Sequence, residues 1–415
     1  METSEQSLSI LLEEAPFPSA TATACPYGLY AAFHRESPVH RLKSGEYVVT
    51  RHEDVVHVAR HPETFSSRHT VSEGGWMRAA TTEDLDRDLP WAIVSSDPPE
   101  HTIKRRLAFE MFKPGRLRER EPMVRAYADE LIDGFIDRGE CEFVSEFAEL
   151  LPAKVILTLF GLPLDYLPRA LSWGRYEGFG TRFASHHSQA AARESIVDLG
   201  AFLRDLVLER VDNPSDDELS LLVQRHREHY GRVNLASLIA AASNLFIGGI
   251  ITTTHLLSSL MMVLVAHTEQ QAIARQGRPQ LRRAIEEALR YESPVQMGPR
   301  LVLEDTELSG TPIPKGAIVL VVWGAANRDE QVFTDANRFS VERQNVNEHV
   351  AFGGGPHFCL GAPLGRMEAT IGFERIFARL TNLRFAESRN DFANHPSVIF
   401  RGPAELFVEF ERADT

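Results

Sequence analysis

The sequence predicts a mainly α-helical fold with small β-sheets. Residues 46–67 have the pattern of a short strand followed by a helix, and residues 301–329 that of strands separated by Gly and Pro turns. Long stretches of helical apolar periodicity lie between them and predict helices over 121–138, 145–159, 196–211, 234–266 and 279–291. The helices therefore outweigh the strands, and the β content is minor.

Composition indicates a globular protein that can bury a large core. Of 415 residues, 43% are hydrophobic and 25% charged. No repeat or linker is visible, so we expect one domain over 26–415 after an N-terminal extension, 1–25. The net charge of −14 argues against nucleic acid as a partner.

Cysteine usage and the N-terminus bear on the compartment. Three scattered cysteines, Cys25, Cys141 and Cys359, make a disulfide framework improbable. The N-terminus lacks the basic region of a signal peptide. We expect a cytoplasmic, monomeric protein with no membrane partner.

One apolar segment, 233–268, contains no Asp, Glu, Lys or Arg and is long enough to span a bilayer. Its Asn, Thr, His and Ser residues and its mid-chain position favour a helix buried on all sides instead. Within it, "FIGGIITTT" contains poor helix formers. A ligand lying against the helix would explain them.

A glycine-rich loop, "FGGGPHFCLG" (352–361), surrounds one cysteine. Such glycines let the backbone approach a flat object closely. Taken alone, Cys359 could be a buried free thiol in a turn. Zinc is less favoured, because no other cysteine or paired histidine lies at ligand spacing. A third reading is a thiolate that ligates haem iron, with His357 reaching a haem propionate.

The loop resembles the haem-binding signature of the cytochrome P450 family at every fixed position: Phe352, Gly353, Gly355, His357, Cys359 and Gly361. The resemblance extends from about residue 26 to 410. It implies the P450 fold, with haem b between a long central helix and the loop, and Cys359 as the iron ligand. It also implies a monooxygenase that takes electrons from NAD(P)H through a ferredoxin reductase and a ferredoxin.

Four further stretches match the family in the expected order along the chain. In "EEALR", Glu287 and Arg290 resemble its Glu-x-x-Arg pair, whose third member we expect to be Arg343, with Arg338 as the alternative. Their implied role is structural, behind the haem. "DPPEHTIKRRL" resembles the helix at the haem edge. The implied propionate partners are His101, Arg105, Arg300 and His357.

"GGIITT" (248–253) resembles the oxygen-binding groove of the central helix. The resemblance makes Gly248 and Gly249 the close approach to haem and oxygen, and Thr252, with Thr253, the proton-handling hydroxyls. Ile251 stands where the family usually has an acid. The usual proton relay is therefore missing, and water or His255 would have to replace it.

The sequence says less about the substrate and the electron-transfer partner than about the haem site. We expect a small hydrophobic substrate under the stretch 66–94 and against an apolar set: Phe246, Ile250, Ile251, Val295, Met297, Val398 and Ile399. A basic cluster should dock an acidic ferredoxin: Lys104, Arg106, Lys113, Arg116 and Arg366. The isoleucine also keeps open a peroxide-driven peroxygenase or another haem-thiolate reaction, and a haem-based sensor is the non-enzymatic alternative.

Overall fold

The structure, a computed structural model, describes residues 7–14, 17–71, 77–79, 92–174 and 186–413. Its α-helices are α1 Leu8–Glu14, α2 Ala20–Ala24, α3 Tyr27–Glu36, α4 His52–Arg60, α5 Glu100–Phe109, α6 Pro114–Asp133, α7 Leu150–Leu159, α8 Leu167–Gly174, α9 His186–Asp212, α10 Glu218–Tyr230, α11 Leu235–Ala266, α12 Thr268–Ala274, α13 Arg278–Tyr291, α14 Trp323–Ala326 and α15 Ala362–Arg379. A π-helical turn, Val144–Ala148, leads into α7. Single 3-10 turns include Ile93–Ser95 and Gly355–His357.

The strands are β1 Val39–Arg41, β2 Tyr47–Val49, β3 Phe65–Ser66, β4 His69–Val71, β5 Met77–Ala79, β6 Glu140–Glu142, β7 Gly298–Val302, β8 Thr306–Leu308, β9 Thr311–Ile313, β10 Ile318–Val321, β11 Leu380–Phe385 and β12 Phe407–Arg412. They form a five-stranded sheet in the order β1-β2-β10-β7-β3, a three-stranded sheet β11-β12-β6, and the pairs β4-β5 and β8-β9. In the largest sheet only β2 and β10 run parallel. The sheets are small and the fold is mainly helical, as the sequence predicted.

Helix α11 crosses the interior of the helical region. Its residues 253–261 are all buried, and it packs against α7, α9, α13 and α15. Among the described residues it is the one helix that could cross a membrane by length and composition. The prediction that it is buried on all sides is wrong for its N-terminal half, because 243–245, 248 and 249 are partly or fully accessible. This solvent-accessible side of α11 is called the cleft.

The five predicted helices are confirmed as α6, α7 with its π-turn, α9, α11 and α13. Helix α6 begins at Pro114, seven residues before the predicted start, because proline suits the first helical turn. The predictions did not include α10 or α15. Residues of the predicted 1–25 extension also contribute to the core: Leu8, Phe17 and Ala22 are buried against α3 and Val322.

Candidate functional site

The glycine-rich loop lies directly against helix α4. Gly353 and Gly355 have φ angles of 70° and 58°, in the left-handed region that favours glycine. A Cβ at Gly355 would lie 2.2 Å from the backbone oxygen of Ala59. A side chain there would therefore displace the loop from α4, which explains why the loop carries so little side chain.

This packing presents the Cys359 thiol at the start of α15. The Cys359 N–H donates to the Phe352 carbonyl at 2.8 Å and closes the loop. Burial raises the pKa of the thiol, while N–H groups of Gly361 and Ala362 and the charge of Arg105 oppose the rise. The two N–H donors and the nearby cation stabilise the thiolate form and offset part of the cost of burying its charge.

A buried ion network supports the segment that leads into the loop. Arg290 donates to both Glu287 carboxylate oxygens at 2.8 Å, and Arg343 Nε lies 3.1 Å from each of them. Glu287 and Arg290 are fully buried. Arg338, the alternative third member, contributes its backbone carbonyl, which accepts from Arg290 and Arg343. The structure thus joins the three predicted residues.

Two of the predicted haem-edge residues meet across the loop. The His101 and His357 rings lie 4.0 Å apart, centroid to centroid. His101 is 1% exposed, and neither of its ring nitrogens has a hydrogen-bond partner in the described part of the chain. Burial and the charge of Arg105 lower its pKa. Buried polar atoms normally have hydrogen-bond partners, so the empty positions at this ring indicate that a ligand forms hydrogen bonds with it.

The other two predicted propionate partners, which carry a positive charge, are Arg105 and Arg300. Burial lowers the pKa of Arg105, and the charge of Cys359 opposes this. Burial also lowers the pKa of Arg300, to about 10, and the charge of Asp97 opposes this. The same Asp97 charge opposes part of the lowering of the His101 pKa. Neither guanidinium forms an ion pair with a carboxylate among the described residues. Both are therefore available to an anionic ligand group.

In the cleft, α11 presents an accessible stripe. Gly248 is exposed, a Cβ placed on it would meet nothing within 4 Å, and Thr252 is partly accessible one turn later. The Thr252 hydroxyl donates to the Gly248 carbonyl at 2.8 Å. Gly249 points elsewhere: its Cβ would lie 2.3 Å from Ile156 Cδ1 of α7. Close helix packing is thus the reason for glycine at 249, while Gly248 is the residue that borders the cleft.

Three predicted site residues lie away from the cleft. Thr253 is buried, and its hydroxyl oxygen would lie 3.6 Å from a Cβ on Gly365 of α15. Phe246 is fully buried and packs against the rings of Phe160 and Trp173. Met297 packs in the N-terminal core cluster. Helical rotation places Thr253 one hundred degrees from Thr252, and aromatic packing removes Phe246 from the cleft.

The other predicted pocket residues divide into two groups. Ile250 and Ile251 line a small cavity beside α8. Val398 and Ile399 are buried, and Val295 is half-buried and forms a β-bridge with Phe400. Of the stretch 66–94 expected over the site, 72–76 and 80–91 lie outside the described residues.

The cavity beside Ile250 and Ile251 has more polar groups in its lining than the apolar set predicted from the sequence. Its lining includes the side chains of Glu149, Thr254, His255, His395 and Ser397. Burial lowers the pKa of His255 to about 3, aided by the charge of His395. His255 is therefore neutral at physiological pH, and its cavity lies on the Ile251 face of α11.

One buried carboxyl was missed. Glu368 of α15 is fully buried, both its oxygens lack hydrogen-bond partners among the described residues, and burial raises its pKa well above the usual value. In the sequence, "GRMEATIGF" reads as an ordinary amphipathic helix. Only the packing of α15 against α6, α13 and α11 shows that this residue is interior.

The donor set fits haem. The loop carries a thiol with two N–H donors, and the accessible Gly248 lies on α11. The partnerless His101 ring, Arg105 and Arg300 supply the kind of donors that two propionate carboxylates would require. Within the described residues, no group of three or more Cys, His, Asp or Glu side chains could hold a free metal ion. The site is that of a haem-thiolate protein.

Comparison with known proteins agrees. The Cytochrome P450 family model matches residues 194–401. The chain is 34% identical to Cytochrome P450 107B1 of Saccharopolyspora erythraea over 90% of this chain and 92% of that protein. It is 33% identical to the mycinamicin IV hydroxylase/epoxidase of Micromonospora griseorubida, covering 92% and 94%. The structure of CYP109E1 from Bacillus megaterium in complex with testosterone matches with a TM-score of 0.84 at 26% identity, covering 94% and 99%.

The chain therefore belongs to the cytochrome P450 family and is a haem-thiolate monooxygenase of bacterial type.

Proposed function

We propose that this enzyme inserts one oxygen atom of dioxygen into a C–H bond, or removes an alkyl group, of a hydrophobic small molecule. The accessible stripe of α11 supports this most directly: Gly248 gives space at the helix surface, and Thr252 adds a hydroxyl one turn along. When bound, haem supplies the iron at which dioxygen is reduced, and a thiolate ligand favours O–O cleavage.

The residues of the chain divide the remaining tasks. Cys359 binds the iron, with its charge moderated by the N–H groups of Gly361 and Ala362. His101, Arg105, Arg300 and His357 hold the propionates. The Thr252 hydroxyl, whose own hydrogen goes to the Gly248 carbonyl, offers the lone pairs of Oγ1 as an acceptor to a proton donor such as water in the cleft. The network of Glu287, Arg290 and Arg343 fixes the segment before the loop without touching the reacting atoms.

The substrate class follows from the relatives and from the cleft. One relative is a mycinamicin IV hydroxylase/epoxidase, and a structural neighbour holds testosterone. We infer a macrocyclic or polycyclic substrate, largely apolar and with few oxygen atoms. Screening such compounds for binding to the purified holoprotein tests this; preferential binding of charged small molecules would contradict it.

Electrons enter at the loop face, from NAD(P)H through a ferredoxin reductase and a ferredoxin. The predicted basic cluster needs correction: Lys104 is buried and paired with Glu100, and the other paired members are Lys113 with Glu110, Arg116 with Glu218 and Arg366 with Glu286. Arg106 is exposed, and so are the rings of Phe109, at the end of α5, and Phe358, in the loop itself. Docking therefore combines few charges with apolar contact, and reduction should depend only weakly on salt.

A peroxide-driven reaction is the second candidate, because Ile251 lacks the acid that relays protons in the family. One experiment separates the two: turnover of a bound substrate with NADPH, reductase and ferredoxin, beside turnover with hydrogen peroxide alone. The proposal expects product in the first case and little in the second. Efficient peroxide turnover without electron transfer proteins would overturn it.

A further inference from the structure

A polar side chain continues the accessible stripe of α11 towards its N-terminus. Asn244 precedes Gly248 by four residues and Thr252 by eight, so the three share one helix face. Asn244 is partly accessible, whereas Phe246 and Ile247 beside it are buried. At 1.5 Å per residue, its Cα lies about 6 Å along the axis from Gly248 and about 12 Å from Thr252.

The amide of Asn244 has a defined orientation. The backbone N–H of Val94, in the 3-10 turn before α5, donates to Asn244 Oδ1 at 3.3 Å. A backbone N–H can only donate, so the oxygen must face the turn and the NH₂ group must face away from it. In the described part of the chain, that NH₂ group has no hydrogen-bond partner. Its two donors remain for another group.

Apolar residues lie beside the Asn244 amide, so its two N–H donors can determine how a ligand is oriented. The Val94 side chain is 46% exposed, and Ile93 beside it belongs to the apolar core. The same turn leads within a few residues to His101 of α5, so it adjoins the haem edge. A pocket that is mostly apolar uses its few polar groups to fix how a ligand lies.

We propose that Asn244 determines substrate specificity: its NH₂ group donates a hydrogen bond to an acceptor oxygen of the substrate, a carbonyl, ether or hydroxyl oxygen. This oxygen lies roughly one helical turn from the part of the substrate beside Gly248. The inference rests on the proposed function, in which the cleft beside Gly248 holds the substrate. It adds that the substrate carries an oxygen acceptor at that distance from the oxidised carbon.

The competing role is structural, with Asn244 only fastening the turn at Val94 to α11. Substitutions at 244 separate the two roles. Asn244→Asp keeps the size and the oxygen that accepts from Val94 but removes the donors. Asn244→Leu removes both the acceptor oxygen and the donors, with a side chain of similar volume. Ser243→Ala, at the preceding position of the same helix, is the matched control.

The probes are a macrocyclic ketone and its hydrocarbon, cyclododecanone and cyclododecane, added to the holoprotein from the same cosolvent. Calorimetric titration gives the ratio of their dissociation constants for the parent and each variant. Loss of one neutral hydrogen bond should reduce the preference for the ketone about three- to tenfold in both Asn244 variants. The control should keep the parental ratio. A structural role would weaken both ligands equally and leave the ratio unchanged.

An unchanged ratio in Asn244→Leu, an equal change in Ser243→Ala, or a parent that binds neither probe would overturn the inference. The thermal midpoint and haem content of each variant show that the fold is retained. The reduced carbon monoxide spectrum of the same samples tests the proposed function independently. Thiolate ligation with an unchanged ratio rejects only the role of Asn244, whereas loss of the thiolate signature in the parent rejects the proposed function.

Discussion

Glu287→Gln removes the negative charge at the centre of the buried network. In the parent, the carboxylate accepts two bonds from Arg290, two contacts from Arg343 Nε at 3.1 Å and the Ser340 N–H at 2.9 Å. Glutamine retains one acceptor oxygen and turns an NH₂ group towards the two guanidinium groups. Two buried cations then share no anion in this network.

The expected loss is large because the groups are inaccessible to water. Glu287 and Arg290 have 0% side-chain exposure, and Arg343 has 7%. Removing one partner of a buried ion pair costs about 3–5 kcal/mol of unfolding free energy. The same substitution in an exposed pair costs about 0–1 kcal/mol. Glu409→Gln is that control, since Glu409 and Arg384 are 32% and 56% exposed and 2.8 Å apart.

Urea unfolding followed by circular dichroism, on parent and both variants, measures the two losses. Haem content after gel filtration shows whether the Cys359 loop has loosened as well. The prediction is a loss several times greater for Glu287→Gln than for Glu409→Gln, with lower haem content in the first alone. Equal losses in the two variants would refute a supporting role for the network.

Three further predictions concern α11 and α15. Gly249→Ala should be less stable to urea than Gly248→Ala by about 1–3 kcal/mol, because only the former places a methyl group against Ile156. The raised pKa of Glu368 means that the native state holds a proton where the unfolded chain has lost it, so stability falls as pH rises above about 4.5. Glu368→Gln should remove that fall, seen in urea midpoints at pH 5 and pH 7. Ile251→Asp should raise the ratio of product to hydrogen peroxide during turnover, because it restores an acid next to a polar cavity.

Each of these has a result that contradicts it. Equal stability of the two alanine variants would mean that Ile156 moves without cost. Parallel pH profiles of parent and Glu368→Gln would show that the carboxyl ionises freely. An unchanged or lower product ratio in Ile251→Asp, with weaker substrate binding, would show that Ile251 shapes the pocket and that protons already arrive by another route.

Features that depend on the spacing of residues along the chain could be predicted from the sequence. The period of apolar residues predicted α11 and α13, and the Glu287 and Arg290 spacing predicted a pair on one helix face. The glycine loop predicted an unusual backbone around Cys359, which the φ angles of Gly353 and Gly355 confirm.

Features that depend on packing between distant segments were not predictable. The steric need for glycine at 249 arises from Ile156 on another helix, some ninety residues earlier. The burial of Glu368 depends on three helices that surround α15. The ion partners of the basic cluster are likewise distant in sequence: Glu218 for Arg116 and Glu286 for Arg366. A run of basic residues therefore indicated a free positive surface where the fold neutralises most of it.

The ligand of the iron is the central claim, and the Soret band of the reduced carbon monoxide complex tests it most directly. The parent and Cys25→Ser, which changes an exposed cysteine, should both show the long-wavelength band of thiolate ligation. Cys359→Ser should lose that band while it retains some haem through His101, Arg105 and Arg300. A Cys359→Ser protein that keeps the long-wavelength band would contradict the account.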